Sequence, residues 1–170
     1  MRGYEEYEIG RFVFIPDRDI YPIYMKLKPK TLIKSGILSK IFEFFASKRV
    51  SIVHMKISRP SPGKSIKILL FIDLTGRTEE INKIVNEARS FEFVERVDYE
   101  EPIFRGFATF SKFLPLTMFG HRAIILRRPF YEAMIKHLRN KLGTGIEVIL
   151  YYAGFEMGSK VFEVHKHMAR

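Results

Sequence analysis

The sequence predicts an α+β fold in which an antiparallel four-stranded sheet carries two helices on one face. Two segments, beginning near residues 36 and 78, repeat apolar residues at the spacing of an amphipathic helix. Segments rich in β-branched and aromatic residues flank them and alternate between apolar and polar positions. Their order is strand, helix, strand, strand, helix, strand, which is the βαββαβ plan of a ferredoxin-like domain.

The first helix is the clearest element and lies within the segment Lys34 to Ser58. Gly36 opens it, and Lys48 and Arg49 close it where the helix dipole favours cations. Its predicted apolar stripe comprises Ile37, Leu38, Ile41, Phe42, Phe44 and Phe45. In the strand that follows, the apolar residues change alternation phase, which predicts a β-bulge near residues 52 and 53.

Three further strands are predicted around this unit. The strand from Ile23 to Lys28 ends at Pro29, because proline cannot donate a hydrogen bond to a sheet. An extra N-terminal strand is expected from Arg11 to Ile15. A turn at Pro60 to Gly63 leads into a strand from Ser65 to Leu74.

The second helix has a predicted N-cap at Thr78, and Glu79 and Glu80 suit its positive end. Its core stripe comprises Ile81, Ile84, Val85 and Ala88. A strand from Phe91 to Tyr99 follows, so residues 1–102 are expected to form one domain.

This order of elements, the glycine in SGILSKI and the strand SIVHMKIS directly after the helix resemble an ACT domain over residues 20–102. The resemblance implies a regulatory module that binds an amino acid or a similar small effector between two copies, and therefore a homodimer. The effector-binding residues that it implies are Ser35, Gly36, Ile37, Leu38 and His54.

The residues themselves give this site a physical basis. Gly36 allows a ligand to approach the backbone closely, and the N–H groups of Ile37 and Leu38 suit a carboxylate. Lys34 adds a countercharge. The alternative is a ferredoxin-like module without a ligand, in which Gly36 only makes a tight helix entry. For His54 we favour the simpler interpretation of a surface strand residue.

Residues 103–170 are predicted to form a second, smaller α+β segment ending in two helices. The aromatic run from Phe104 to Phe113 is either a strand or a linking arm. The apolar run from Ala123 to Leu126 is predicted to be a buried strand with basic ends. A helix is expected to start at Pro129 and to end at Gly143.

Thr144 is expected to cap the last helix. The apolar residues of that helix recur at Ile146, Ile149, Leu150, Ala153, Met157 and Val161. Gly154 and Gly158 lie one helical turn apart. We therefore expect this face to pack closely against the helix from Pro129 to Leu142, or against its copy in a dimer partner.

The apolar strand AIIL, the helix from Pro129, the turn at Leu142 and Gly143 and the helix YYAGFEMG also carry a likeness. This run is similar to the first half of a 4-vinyl reductase domain, a small-molecule sensor domain of transcriptional regulators. The likeness implies a link to transcriptional regulation. We expect a partial domain that serves in dimerisation or docking.

The net charge of +10 is concentrated in residues 103–170, which hold 11 Lys and Arg against 4 Asp and Glu. Such a surplus attracts nucleic acid or acidic ligands, although it also serves solubility. Nucleic-acid binding, through a helix-turn-helix at LGTG or aromatic stacking on RNA, is therefore the alternative function. Its phosphate-contacting residues would be Arg122, Arg127, Arg128, Lys136 and Arg139.

Several function classes are disfavoured. The chain has no cysteine, and of its five histidines only His165 and His167 are close in sequence, so neither a metal site nor a cofactor is expected. No phosphate loop, nucleophile elbow or HExxH motif is present, and no catalytic residue is predicted. No apolar run approaches about 18 residues, so a cytoplasmic protein without a membrane partner is expected.

Overall fold

The computed structural model describes residues 10–29, 31, 34–58, 63–112, 116–118 and 121–168. The chain divides into two compact units, Met1–Leu114 and Pro115–Arg170. The predicted turn at Pro60 to Gly63 lies outside the described residues, apart from Gly63 itself.

The first unit contains the predicted sheet and its two helices. Its elements are β1 (Phe12–Phe14), β2 (Ile20–Leu27), α1 (Ile37–Ser47), β3 (Ser51–Ile57), β4 (Ile66–Asp73), α2 (Ile81–Arg89), β5 (Val94–Tyr99) and β6 (Phe107–Thr109). Four strands form one antiparallel sheet in the order β3-β4-β2-β5. α1 connects β2 to β3, and α2 connects β4 to β5. The predicted α+β fold with a ferredoxin-like βαββαβ plan is confirmed.

The main core lies between one face of this sheet and the two helices. In the sheet, Ile23 and Met25 of β2 are fully buried together with Leu70 of β4. The helices contribute the buried residues Ile37, Ile41, Phe45, Ile81, Ile84, Val85 and Ala88. Phe42, a predicted member of the α1 stripe, is 41% exposed, since it lies about 100° around the helix from Ile41.

β3 carries the predicted β-bulge. Its pairing with β4 shifts register between Ile52 and His54. Because of this shift, Ile52 opposite Ile72 and Met55 opposite Leu70 both lie on the face of the main core. The change of alternation phase in the sequence is therefore a true bulge, and the prediction is confirmed.

The start of α2 differs from the prediction. A 3-10 turn covers Thr78–Glu80 before α2 begins at Ile81, and no side chain caps either start, so the predicted cap at Thr78 is wrong. Thr78 lies inside the turn rather than ahead of it. The guanidinium of Arg77 donates to both carboxylate oxygens of Glu80, at 2.7 and 2.6 Å, and to the backbone oxygen of Lys48, at 3.0 Å. Arg77 thus ties the start of α2 to the end of α1.

A two-stranded ribbon of β1 and β6 packs against the opposite face of the sheet. The two strands pair antiparallel, with Val13 opposite Ala108. Ala108 and Phe110 are buried with Leu69 and Phe71 of β4 in a second core. The ribbon therefore buries apolar residues on the sheet face that the helices leave open.

The ribbon also settles two sequence-based questions. The N-terminal strand expected from Arg11 to Ile15 is confirmed as β1, and the aromatic run from Phe104 to Phe113 contains a strand, β6. Both strands belong to the first unit. The division that we placed after residue 102 thus falls ahead of an element that pairs with β1.

The second unit has two short strands and two helices. Its elements are β7 (Thr117–Met118), β8 (His121–Arg122), α3 (Arg128–Leu142) and α4 (Gly145–Met168). Pro129 lies in the first turn of α3, and Gly143 ends that helix with φ 57°, as expected. None of the helices described is both long enough and apolar enough to cross a membrane.

The predicted buried strand from Ala123 to Leu126 is wrong. These residues form no strand, and Ile124, Ile125 and Leu126 are exposed, with Ile124 at 87%. In the described part of the second unit, the sheet is the antiparallel pair β7 and β8, which has two residues in each strand and does not include the apolar run. Apolar composition alone therefore misled the prediction.

α4 is formed as predicted, but its apolar residues are largely exposed. Ile146 is buried, whereas Ile149, Met157 and Val161 are each more than half exposed. A Cβ built on Gly154 or Gly158 meets nothing within 4 Å. The expected close packing of this face against the helix from Pro129 to Leu142 is therefore wrong within one chain.

Candidate functional site

The loop between β2 and α1 carries the predicted effector site. Thr31 is buried, and its hydroxyl donates to the backbone oxygen of Lys28 at 2.5 Å. The backbone N–H of Lys34 donates to the backbone carbonyl oxygen of Thr31 at 3.0 Å. Thr31 thus anchors the loop, and Lys34 and Ser35 lie at the surface.

Gly36 sets the geometry at the start of α1. Its φ of 83° and ψ of −3° lie in the left-handed region, which glycine adopts at little cost. A Cβ at this position would meet none of the described residues within 4 Å, so the space beside the backbone is open on their side. A small molecule therefore has room to approach the backbone here.

The electrostatics at the start of α1 favour an anion. No side chain caps the helix, and its first turn contains no acidic residue. The first N–H groups of a helix, here those of Ile37 and Leu38, have no partner within it and lie at the positive end of its dipole. Together with the nearby cation of Lys34, these groups suit a carboxylate or a similar small anion.

The start of α2 lacks these properties. Glu79 and Glu80 stand in the turn that precedes it. The hydrogen bond from Arg77 holds the pKa of Glu80 below its usual range, so this carboxylate remains charged near the helix start. The positive end of α2 is thus offset by the chain's own acids, and that of α1 is not.

The structure brings five of the six predicted effector-binding residues together, because they are consecutive in sequence. Lys34, Ser35 and Gly36 are exposed. Ile37 is 7% exposed and Leu38 is half-buried, and both pack in the main core. They consequently offer a ligand their backbone N–H groups rather than their side chains.

His54 lies elsewhere. It is opposite Phe71 on the sheet face that carries the second core, and the two rings are 5.8 Å apart. α1 packs on the other face of the sheet. The fold therefore separates His54 from the start of α1 within one chain, because the bulge in β3 determines which face the imidazole occupies.

Sequence reasoning missed an aromatic cluster on the ribbon. Phe12, Phe14 and Phe104 are about half exposed, and their ring centroids lie 5.8, 6.5 and 5.1 Å from that of Phe107. The signal was available, since Phe12 and Phe14 alternate and Phe104 and Phe107 flank a glycine turn. Only the pairing of β1 with β6 places them together.

The perturbed tyrosines lie in β2 rather than in the loop. Burial, followed by the neighbouring carboxylate of Glu101, raises the pKa of Tyr21 to about 12. Burial also raises the pKa of Tyr24. Both hydroxyls therefore stay protonated at neutral pH.

The basic residues proposed for nucleic acid lie in the second unit and are exposed. Arg128 pairs with Glu132 at 2.6 Å, and Arg139 lies 3.4 Å from Glu147. The guanidinium of Arg127 lies 4.5 Å from the ring centroid of Phe130. Two of the five proposed residues, Arg128 and Arg139, thus contact acids of the same unit; Arg122 and Lys136 complete the set.

Among the residues that the structure describes, no group of three or more His, Asp or Glu side chains is placed to hold a metal ion. The candidate site at α1 offers backbone N–H groups, the cation of Lys34 and the hydroxyl of Ser35.

Comparison with known proteins gives two similar sequences. No family model matches the chain. It is 26% identical over 102 residues to the UPF0735 ACT domain-containing protein of Bacillus pumilus, an alignment that covers 55% of this chain and 69% of the relative. It is 24% identical over the same length, with the same coverage, to the UPF0735 ACT domain-containing protein YszB of Bacillus subtilis. Both relatives are thus named for the ACT domain, which the sequence of this chain also resembles.

Solved structures give weaker likenesses. The C-terminal domain of the MgtC protein from Mycobacterium tuberculosis matches 50% of this chain and 88% of its own, at 15% identity and a TM-score of 0.41. The regulatory subunit of aspartate kinase from Thermus thermophilus, in its ligand-free form, matches 48% of this chain and 50% of its own, at 15% identity and a TM-score of 0.39. A homoserine dehydrogenase from Thiobacillus denitrificans matches 49% of this chain and 17% of its own, at 16% identity and a TM-score of 0.38.

Proposed function

We propose that the first unit is a regulatory, ligand-sensing domain that binds a small effector with a carboxylate, an amino acid in the first instance. The observation that carries the proposal is the start of α1, where Gly36 leaves open space and neither a cap nor an acid offsets the positive helix end. The relatives named as ACT domain-containing proteins support the same role.

In this proposal the carboxylate of the effector accepts hydrogen bonds from the N–H groups of Ile37 and Leu38. Lys34 and the hydroxyl of Ser35 lie at the surface beside them and supply a cation and a polar contact. Gly36 permits the close approach. His54 can contact the effector only if it comes from a second copy of the chain, because within one chain it lies on the sheet face opposite α1.

The remaining parts of the proposal concern the assembled protein. Pairing of two copies as a homodimer would complete a site that is open on one side. The sensing unit is proposed to be non-catalytic and cytoplasmic. Its control of transcription, and the likeness of the second unit to a 4-vinyl reductase domain, rest on the sequence alone.

The proposal is tested by melting the protein in the presence of each of the twenty amino acids. A ligand that binds only the folded state stabilises it by about 2.7 kcal/mol at a hundredfold excess over Kd. The matching amino acid should therefore raise the Tm by several degrees, and Gly36→Val should abolish the rise, because its side chain fills the open space beside the N–H groups.

Gly76→Val is the matched control. Gly76 has φ 74° and open space around it, so a valine there carries similar backbone strain. Gly76 follows the C-terminal end of β4, and Gly36 follows the C-terminal end of β2. Because β4 runs antiparallel to β2, the two glycines lie at opposite ends of the strands. Gly76→Val should keep the ligand response. Equal loss of response in both variants would contradict a site at the start of α1, and no response to any amino acid would contradict the proposed effector class.

Nucleic-acid binding is the second candidate, favoured by the exposed basic residues of α3 and the segment before it. Its signature is an affinity that falls steeply with salt concentration. Replacement of Arg122, Arg127 and Lys136 by Gln should then weaken binding to DNA or RNA and reduce the salt dependence. A salt-sensitive affinity without any amino-acid response would favour this function over sensing.

A further inference from the structure

α4 carries an unusual amount of exposed apolar surface. Eight of its large apolar side chains are more than half exposed, and four more on α3 are about half exposed. At roughly 100 Å² each, these twelve side chains expose about 1,200 Å² in total. They lie on several sides of the two helices, so one interface can take up only part of this area, and a standard interface buries about 800 Å² on each partner.

Within this surface, one stripe along α4 has a defined shape. Tyr151, Gly154, Phe155, Gly158 and Phe162 recur at helical spacing and fall on one side of the helix. The three aromatic side chains are 69%, 62% and 63% exposed, and the space beyond both glycines is open. The stripe thus consists of large side chains on either side of a glycine groove, and within it the ring of Tyr151 contacts that of the adjacent Tyr152, at 5.5 Å between centroids.

We propose that α4 pairs with α4 of a second copy of this chain, antiparallel, about a two-fold axis between residues 156 and 157. In this register Phe155 lies opposite the partner's Gly158, and Gly158 opposite the partner's Phe155. Tyr151 lies opposite the partner's Phe162 at one end, and the same pair recurs at the other end. Each large ring then meets either a glycine groove or one ring, so the stripe is complementary to itself, as a two-fold interface requires.

The antiparallel direction follows from the same residues. In a parallel, in-register pair Phe155 would meet its own copy and each glycine would meet a glycine, which leaves gaps beside crowded rings. Opposed helices also place the positive end of one dipole near the negative end of the other. This interface involves no residue of the proposed effector site, so a test of the interface is independent of any test of effector binding.

Disulfide trapping tests the register directly, because the chain contains no cysteine. Tyr151→Cys and Phe162→Cys are made in separate preparations of the full chain, which are oxidised alone and as a mixture. The mixture should form a disulfide-linked dimer at least about tenfold faster than either chain alone. In an antiparallel pair residue 151 lies about 16 Å along the axis from its own copy, too far for a disulfide, which needs Cα atoms within about 7 Å.

A second substitution asks whether the glycine groove is needed. Gly158→Leu, added to both cysteine chains, should slow the cross-link by at least about tenfold, because the added side chain fills the space that the partner's Phe155 enters. Ile149→Ala is the matched control: Ile149 is 55% exposed but lies on the far side of α4 from the stripe, so its loss should leave the cross-link rate unchanged. Circular dichroism checks that every variant keeps its helices.

Three outcomes would overturn the proposal. Faster cross-linking of Tyr151→Cys with itself than with Phe162→Cys would mean a parallel pair. A cross-linking rate that Gly158→Leu leaves unchanged would mean that the glycine groove is not part of the contact. No mixed disulfide, together with co-sedimentation of the chain with anionic phospholipid vesicles, would mean that the stripe faces a membrane surface.

Discussion

At the scale of single residues, Gly106 has the closest neighbours among the glycines from Gly36 to Gly158 that the structure describes. It has φ 90°, its N–H donates to the Arg18 oxygen, and its own oxygen accepts from the N–H of Ile15, both at 2.8 Å. A Cβ here would lie 2.8 Å from the Ile15 backbone oxygen. Gly106→Ala should therefore lower the free energy of unfolding by about 1–3 kcal/mol, as measured by urea denaturation.

Gly76→Ala distinguishes the cost of backbone strain from that of a steric clash. Gly76 also has a positive φ, but a methyl group there would meet no close neighbour. It should cost less than Gly106→Ala. Equal costs would show that backbone strain alone matters at both positions and that the backbone of Ile15 and Pro16 can move away from the added methyl group.

Tyr21 makes stability depend on pH in the alkaline range. It is 6% exposed, and burial together with the Glu101 carboxylate raises its pKa to about 12, against about 10 in an unfolded chain. Between these values the unfolded state loses a proton that the folded state keeps, so stability falls as the pH rises. Relative to Tyr21→Phe, the parent should lose stability between about pH 9 and pH 12, by at most about 2–3 kcal/mol, because solvent screening of the hydroxyl reduces the effect. A difference that is independent of pH in denaturation experiments would contradict this account.

At the scale of elements, the β1–β6 ribbon is an integral part of the first unit. Phe110, just after β6, is 1% exposed and its ring lies 5.6 Å from that of Tyr24 in β2. Phe110→Ala should therefore cost about 3–5 kcal/mol of the free energy of unfolding of the first unit. Phe104→Ala is the control, since Phe104 is 56% exposed and should cost little. Similar small costs for both would mean that the ribbon contributes nothing to the core.

At the scale of the whole molecule, the parts that the sequence predicted well are those with local causes. The buried stripe of α1 follows from the spacing of Ile37, Ile41 and Phe45, and the bulge in β3 follows from one change of phase. The start of α1 could be placed from Gly36 together with the apolar spacing that follows it, because glycine adopts the left-handed conformation at little cost.

The errors arose where burial depends on distant partners. The run from Ala123 to Leu126 has the composition of a buried strand, but β7 and β8 offer it no sheet to join. The glycines of α4 suggest close packing, and periodicity does not say whether the neighbour is in the same chain. His54 is a separate case, because the side of the sheet on which it lies depends on register, which a single strand does not reveal, and its part in a site stays a prediction.

The pairing of β1 with β6 also has a consequence for the order of folding. Phe12 lies opposite Thr109, so the two strands meet only when a loop that contains the whole βαββαβ unit has closed. Closing such a long loop costs conformational entropy before any contact repays it. The sheet and its helices can therefore form first, and the ribbon is then added to a surface that already exists. In that order Ile20, Leu69 and Phe71 are the last large apolar residues of the sheet to leave water, and any unfolding that begins at the ribbon returns them to it first.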